Sequence, residues 1–376
     1  MRFFDLNGSN VAELSATALA ELRLPEQGYL WLSCTRTEFE QHQAELQTTL
    51  QRLCALQLVD LHVSDLLNAQ LPSRYDYTSQ YDLLVFRRLA TANAQSNSGP
   101  GSSGPRGGMP ILRHIDTSPV GFVVFDRVLL SVHPEDCALR DSYAQRLLTA
   151  GNAGQNTAAT PDPRSTGARG VPTSPADLML RIVNHMVDGF LALRHELSHQ
   201  LDHWQTELLN PKTRFANWST LLAARQSLHQ LDELCEDQRS AIQDWIEALK
   251  SWPDNDAFGT QHERDMLQVR SRDVLEHIER VVHHVRQLEQ SAETAVQIHF
   301  NAQSHRTNEI MRTLTALTAV FLPLNLIAGI FGMNFEFIPL LHRSNGFWLA
   351  MTAMALIALG LVLFFWRKRY LVRSAR

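Results

Sequence analysis

The sequence predicts an α+β membrane protein with an N-terminal α/β domain, a long stalk helix and two C-terminal transmembrane helices. Residues before about 145 alternate strand-like and helix-like segments, and beyond Thr173 the apolar residues repeat at helical spacing almost without interruption. Two runs near the C-terminus carry no charged residue. The net charge of −5 over 376 residues is small, and no basic stripe indicates a nucleic-acid partner.

The cysteines and the N-terminus indicate a reducing, cytosolic setting for the first part of the chain. Cys34, Cys54, Cys137 and Cys235 are widely separated and include no CxxC pair, which argues against a disulfide framework and against a zinc ribbon. The N-terminus lacks a basic region followed by an apolar run, so it does not predict a secretory signal. Any membrane segment is therefore expected further along the chain.

Residues 1–173 are predicted to form the α/β domain. Short apolar runs at 29–32, 83–86 and 120–125 are typical of strands. Two low-complexity inserts, near 93–108 and 150–173, are rich in glycine, proline and small residues, and they lack the apolar side chains that ordering requires. We interpret both inserts as flexible loops or linkers.

Residues 174–254 are predicted to form a cytosolic helical hairpin. Ser174, Pro175 and Asp177 supply a capping hydroxyl, a first-turn proline and an early carboxylate, which together are typical of a helix start. Asn210-Pro211 ends this helix, and a second helix covers about 217–251. The apolar side chains of the first helix recur three or four residues apart and form one face: Leu178, Ile182, Met186, Phe190, Leu193, Leu197, Leu201, Trp204 and Leu208.

The stalk helix, assigned to 255–331, is predicted to continue into the first transmembrane helix. It starts near Gln261, and neither proline nor glycine interrupts it before Pro323. A helix from Gln261 to Phe331 would be on the order of 105 Å long. Such a helix is long enough to connect a cytosolic domain to a membrane.

Two charge-free runs of about 23 residues, at 313–335 and 344–366, can each cross a bilayer, which takes about 20 apolar residues. The second transmembrane helix is expected at 347–366. The loop 332–346 has Arg343 as its one Lys or Arg residue, whereas the tail 367–376 is rich in both, so the loop is expected outside and both termini in the cytoplasm. The alternative is a pair of buried helices in a soluble protein, where such paired runs with a basic flank are rare.

One face of the first span combines polar, small and apolar residues, whereas its other faces are uniformly apolar. Asn325 is costly inside a membrane unless it meets a partner or water, so it is expected to face a bundle interior or a cavity. A contact between helices is the alternative. The residues of this face are spaced three or four apart: Met311, Leu314, Thr318, Leu322, Asn325 and Gly329.

Several motifs resemble those of the CorA family of magnesium transporters. Gly332-Met333-Asn334 follows directly after the first of two C-terminal spans, where the family carries its signature, and the preceding 321–329 resembles the family as well. Upstream, Arg272-Asp273-Val274 resembles the stalk-helix motif, and 64–68 resembles the start of the cytosolic helix pair. The resemblance covers nearly the whole chain apart from the two low-complexity inserts.

The resemblance implies a homopentamer in the cell inner membrane, with five first spans around a pore and five second spans against lipid. Mg²⁺ is the implied substrate, with Co²⁺ or Ni²⁺ as poorer ones, and no enzyme activity or catalytic cofactor is implied. Asp65 and Asp273 would bind regulatory Mg²⁺ between neighbouring subunits. The selectivity motif would be Gly332, Met333 and Asn334, and the pore would be lined by Asn308, Met311, Leu314, Thr318, Leu322 and Asn325.

Two positions depart from the family pattern. The loop reads Ile338-Pro339-Leu340-Leu341, where relatives carry an acidic residue at the place of Leu340, so Glu336 alone remains in the loop to attract cations. In the stalk, Gln297 stands where some relatives carry a second sensing aspartate. Both departures concern cation attraction and regulation, and they leave the predicted pore unchanged.

Two alternative functions are open. A zinc transporter of the ZntB type belongs to the same superfamily, but Met333 and Phe335-Glu336 favour the magnesium branch. A non-conducting membrane-anchored scaffold is the other alternative, and it has no use for a polar residue such as Asn325 within a span.

A separate motif, His195-Glu196-Leu197-Ser198-His199, matches the HExxH pattern of zinc proteases. Its two histidines fall on the side of the helix away from the apolar stripe, and His203 does not have the spacing expected of a third ligand. We interpret the motif as a solvated polar face, with adventitious or regulatory metal binding as the alternative to catalysis.

Overall fold

A computed structural model describes residues 1–8, 10–14, 19–90, 115–136, 138–156, 171–209, 218–252, 261–333 and 345–368. The chain divides into two compact units, Met1–Ala292 and Glu293–Arg376. The first unit contains a mixed sheet with helices packed against it, and the second contains the later part of a long helix and one further helix. The predicted α+β class is confirmed.

The first unit is built on a sheet that has seven strands in the described part of the chain. The strands are β1 (Arg2–Asn7), β2 (Asn10–Leu14), β3 (Tyr29–Thr35), β4 (Arg74–Tyr77), β5 (Asp82–Leu89), β6 (Thr117–Val124) and β7 (Val128–His133). They lie in the order β2-β1-β3-β7-β6-β5-β4. Neighbours run antiparallel except β3 and β7, which pair in parallel with Leu32 opposite Leu130.

The helices of the first unit pack on the sheet or on one another. They are α1 (Arg36–Gln41), α2 (Gln43–Cys54), α3 (Asp60–Leu67), α4 (Ala138–Asn156), α5 (Pro175–Leu209), α6 (Trp218–Ser251) and the first part of α7 (Gln261–Phe331). Alternation along β3 separates two layers. Leu30 and Leu32 belong to the core that includes α1, α2 and α3, whereas Trp31 stacks on Phe4 and meets Tyr143 of α4 edge-on.

The strands predicted at 29–32, 83–86 and 120–125 are confirmed within β3, β5 and β6. The second insert differs from the prediction, because α4 continues through residues 150–156 before the described residues stop. Gly151 lies where α4 packs against β2: a Cβ there would lie 3.1 Å from the backbone nitrogen of Val11, so the small residue allows the close contact. The first insert and residues 157–170 lie outside the described residues.

The last strand of the sheet, β4, is shorter than its neighbour: β4 has four residues and β5 has eight, so in the described residues the second half of β5 has no strand on that side. Arg87 lies beyond the part of β5 that pairs with β4. Its backbone N–H donates to Ser73 Oγ at 3.0 Å, and its carbonyl accepts a hydrogen bond from Gln238 Nε2 of α6 at 2.8 Å. Ser73 and Gln238 are both buried, so buried side chains satisfy the main chain where no strand does.

The start of α5 confirms the predicted cap. The backbone N–H of Asp177 donates to Ser174 Oγ at 3.2 Å, and the N–H of Thr173 donates to Asp177 Oδ2 at 3.2 Å. The buried Asp177 carboxylate also pairs with Arg181 at 3.1 Å and with Arg270 at 2.7 Å. The predicted stripe is buried at Leu178, Ile182, Met186, Phe190 and Leu197.

Within the described ranges, two helices are long and apolar enough to cross a membrane: α7 and α8 (Gly346–Arg367). Only 6% of the most apolar window of each helix is buried within the chain. Core helices of soluble proteins are mostly buried, so this exposure argues against the soluble alternative. Both spans therefore agree with the predicted transmembrane helices.

Candidate functional site

The predicted pore residues form one exposed face of α7 in the second unit. Because they recur every three or four residues of a continuous helix, the face runs along the span. The apolar members are strongly exposed, at 58% for Met311, 55% for Leu314 and 65% for Leu322. The polar members Asn308, Thr318 and Asn325 are exposed as well.

The middle of this face is a shallow groove of about 270 Å³ with both polar and apolar walls. It is lined by Leu317, Thr318, Phe321, Leu322 and Asn325. The Thr318 hydroxyl donates to the Leu314 carbonyl at 2.9 Å, so its oxygen can still accept a hydrogen bond from water. Asn325 makes no hydrogen bond to any described residue, which leaves its amide available to a partner outside the single chain.

The selectivity motif begins where α7 ends. Gly332 donates its N–H to the Ala328 carbonyl at 2.9 Å, and Met333 donates to the Ile330 carbonyl at 3.3 Å, so the helix tightens in its last turn. Met333 is 50% exposed. Asn334 lies outside the described residues, as does most of the loop 332–346.

The two predicted regulatory carboxylates lie on different elements and have different surroundings. Asp65 of α3 is 8% exposed, and its Oδ2 lies 3.5 Å from Arg74 Nη1. Asp273 of α7 has a side chain that is 59% exposed and lies 3.8 Å from His277 Nε2. Each acid thus has a basic neighbour within its own chain, and their pairing between subunits stays a prediction.

Arg74 is a residue that the sequence analysis did not find. It binds Asp76 at 2.8 Å in addition to its contact with Asp65, and Asp76 lies 3.5 Å from the buried His62. His62 in turn contacts the Tyr81 hydroxyl at 2.8 Å. The alternation of charge in the Arg74–Tyr77 strand is the signal in the sequence, but the contact depends on how α3 packs over the sheet.

The HExxH motif lies in α5. His199 is exposed and Leu197 is buried, as expected for a helix with one solvated face, while the side chains of His195 and Glu196 lie outside the described residues. Ser198 hydrogen-bonds to His284 of α7 at 2.7 Å. Burial lowers the pKa of His284, and the charge of Arg194 adds to this effect. In the described ranges, no three His, Cys, Asp or Glu side chains come together in a metal-binding group.

Comparisons with known proteins support one family. A family model described as "CorA-like Mg2+ transporter protein" matches residues 26–369. The cobalt/magnesium transport protein CorA of Thermotoga maritima is 25% identical over 201 residues, which are 52% of this chain and 52% of that protein. The magnesium transport protein CorA of Haemophilus influenzae is 33% identical over 101 residues, 27% of this chain and 32% of that protein. The chain therefore matches about half the length of the first relative and about a third of the second.

Two solved structures share the fold. The complete structure of the CorA magnesium transporter from Methanocaldococcus jannaschii aligns over 98% of both chains, with a TM-score of 0.69 and 18% identity. The structure of the full-length CmaX protein aligns over 98% of this chain and 97% of that chain, with a TM-score of 0.65 and 18% identity. At this level of identity the likeness concerns the fold alone.

Proposed function

Because this chain belongs to the CorA-like Mg²⁺ transporter family, we propose that it conducts Mg²⁺ across a membrane as a homopentamer. The proposal places the protein in the cell inner membrane with both termini in the cytoplasm, and Mg²⁺ is its substrate and its regulatory ligand. Co²⁺ and Ni²⁺ are poorer substrates. Cobalt/magnesium and magnesium transport are the activities in the names of the two relatives above.

The observation that carries the proposal is the exposed mixed face of α7. A chain with one such helix cannot enclose a water-filled path, since polar main-chain and side-chain groups must be satisfied within the bilayer. Copies of α7 around an axis would bring Thr318 and Asn325 together with the apolar rings of Leu314 and Leu322. Apolar constrictions of this kind can gate a pore by dewetting.

The chemistry of the predicted selectivity motif suits a hydrated ion. Mg²⁺ holds its water molecules strongly and usually keeps several of them when bound. A ring of neutral amide oxygens from Asn334 can bind that hydrated ion through its waters, and no carboxylate cage is required in the pore.

Ion flux into liposomes tests the proposal. Purified full-length protein is reconstituted, and uptake of Mg²⁺ and of Zn²⁺ is measured with indicators inside the vesicles. We expect Mg²⁺ uptake that a negative interior potential accelerates. Zn²⁺ uptake without Mg²⁺ uptake would support a ZntB-type transporter, and the absence of both would support a scaffold.

Substitutions in the same assay test the pore face. Asn334→Ala and Asn325→Leu should each lower Mg²⁺ uptake at least about tenfold while the oligomer remains assembled, because each removes an amide from the path. Thr352→Val on α8 is the matched control. Its hydroxyl donates to the Trp348 carbonyl at 2.7 Å within its own helix, so its loss should leave uptake unchanged. Normal uptake by well-expressed Asn334→Ala protein would contradict the assignment of the selectivity motif.

A further inference from the structure

A cavity of about 490 Å³ lies in the first unit, beside turns at one end of the strands. Its walls come from the β4–β5 and β6–β7 turns, the start of α5, the end of α6 and the start of α7. The volume falls in the range of small-molecule sites, roughly 300–1,000 Å³. Neither the pore face of α7 nor the carboxylates Asp65 and Asp273 line this cavity.

One wall of the cavity is aromatic. Tyr75 stacks on Tyr77 with ring centroids 6.1 Å apart and an angle of 16° between their planes. Tyr75 also meets the fully buried Trp245 edge-on at 5.9 Å, and Trp245 meets Trp252 edge-on at 5.7 Å. Tyr77 remains 66% exposed. The cluster thus holds aromatic faces in fixed positions and leaves one of them largely uncovered.

Acidic side chains also line the cavity. Asp82, Asp126 and Glu263 line it, and the lining residues of the described chain include no lysine, arginine or histidine. Neither Asp82 nor Asp126 forms an ion pair with another residue in the described part of the chain. The Tyr75 hydroxyl donates to Asp82. Burial raises the pKa of Asp82 to about 6 against the effect of this hydrogen bond, and the charge of Asp126 contributes to the increase.

We propose that this cavity binds an organic cation with two or more alkylammonium groups, as in a polyamine. Ammonium groups are attracted to aromatic faces and to carboxylates, and both line the cavity. Asp82 and Asp126, which lie on separate elements, suit a ligand whose charges are spread along a flexible chain. The proposal does not depend on transport, since it concerns residues of the first unit and its readout is binding.

Two other ligand classes fit the cavity less well. Mg²⁺ prefers oxygen ligands in octahedral geometry and gains nothing from the faces of Tyr77 and Trp252. An anion would approach the N-terminus of α5, but the groups there already bind the Ser174 hydroxyl and the Asp177 carboxylate. The three acids of the lining would repel it further.

Isothermal titration of the full-length protein with spermidine tests this proposal. We expect saturable binding with one site per chain that excess Mg²⁺ does not abolish. Tyr77→Ala and Asp126→Asn should each weaken binding about tenfold, because each removes an interaction with an ammonium group. Tyr77→Phe should retain most of the affinity, because it keeps the ring face.

Asp244→Asn, an exposed carboxylate of α6 outside the cavity, is the matched control and should bind spermidine as the wild type does. Tyr77 and Asp126 are also exposed, so their variants should fold, and their melting temperatures check this. Undetectable spermidine binding, or equal binding by Tyr77→Ala and the wild type, would overturn the proposal. Complete displacement by millimolar Mg²⁺ would identify a metal site instead and would also overturn it.

Discussion

At Asp82, burial and hydrogen bonding act on one carboxyl group in opposite directions. Burial is the larger effect and raises the pKa to about 6 from an ordinary value of 3.8. The folded state therefore binds this proton more tightly than the unfolded chain does. Between about pH 4 and pH 6 the folded chain holds more protons, so this group lowers the free energy of unfolding as the pH rises, by up to about 3 kcal/mol.

A neutral side chain at this position should remove the loss of stability. Asp82→Asn keeps an oxygen that can accept the Tyr75 hydroxyl, and it cannot become charged. We expect the variant to be more stable than the wild type at pH 8 and to have nearly the same stability at pH 4. Chemical denaturation of both proteins across this range measures the difference, and a difference that is constant with pH would contradict the prediction.

The sequence predicts which residues belong to the candidate site, but it does not predict what surrounds each of them. Asp65 and Asp273 can be found by motif, because the residues beside each of them resemble a family pattern. The burial of Asp65 and its contact with Arg74 cannot be found that way. They depend on α3 packing against the sheet, where a Cβ at Gly121 would come within 2.2 Å of Leu66.

At the scale of strands and turns, a comparison of two glycines distinguishes the cost of backbone strain from the cost of a steric clash. Gly8 and Gly28 both have positive φ, 57° and 88°. A Cβ at Gly8 would have nothing within 4 Å, whereas a Cβ at Gly28 would lie 2.0 Å from the Leu6 carbonyl oxygen. The clash at Gly28 is with the backbone of the adjacent strand β1, so the rotation of a side chain cannot relieve it.

Gly8→Ala should therefore lower stability by about 1–2 kcal/mol, the cost of a left-handed conformation. Gly28→Ala should cost at least about 3 kcal/mol, because β1 or β3 must also move. Thermal unfolding of the full chain compares the two variants directly. Equal decreases in melting temperature would show that the clash at Gly28 is relieved without disturbing the sheet.

The helices and strands were predicted to different extents for physical reasons. Caps, prolines and apolar periodicity set the ends of α5, α6 and α8 within one or two residues of their predicted positions. The apolar runs of β3, β5 and β6 were equally clear. β4 is short and half polar, and the end of α4 has the composition of a linker, so both depend on tertiary packing that local sequence does not show.

At the scale of the whole molecule, the proposed regulation by Mg²⁺ requires more than one chain. If Mg²⁺ joins Asp65 and Asp273 between subunits, it offsets the repulsion of two carboxylates and favours one arrangement of the assembly. Asp273→Asn should then shift the Mg²⁺ concentration that protects the protein from proteolysis upward by about tenfold. Asp273→Lys should give protection without Mg²⁺, because the ammonium group can replace the metal.

Glu276→Gln is the matched control for these substitutions. Glu276 lies one turn from Asp273 on α7, is 70% exposed and pairs with Arg280 at 2.9 Å. We expect its Mg²⁺ dependence to equal that of the wild type. The same protection midpoint in Asp273→Asn and the wild type would refute the regulatory assignment. It would leave the proposal of Mg²⁺ transport untouched, because that proposal rests on the exposed face of α7.

The hydrogen bonds at Arg87 have a consequence for how copies of this protein can meet. A sheet edge with free N–H and carbonyl groups accepts strands from other molecules and is a common origin of aggregation. Here Ser73 and Gln238 occupy both groups of Arg87, and β4 pairs with Asp82–Val85 on the same side of β5. A foreign strand arriving there would find no available donor or acceptor at Arg87. Self-association at Arg87 would therefore have to use side chains and not main-chain pairing.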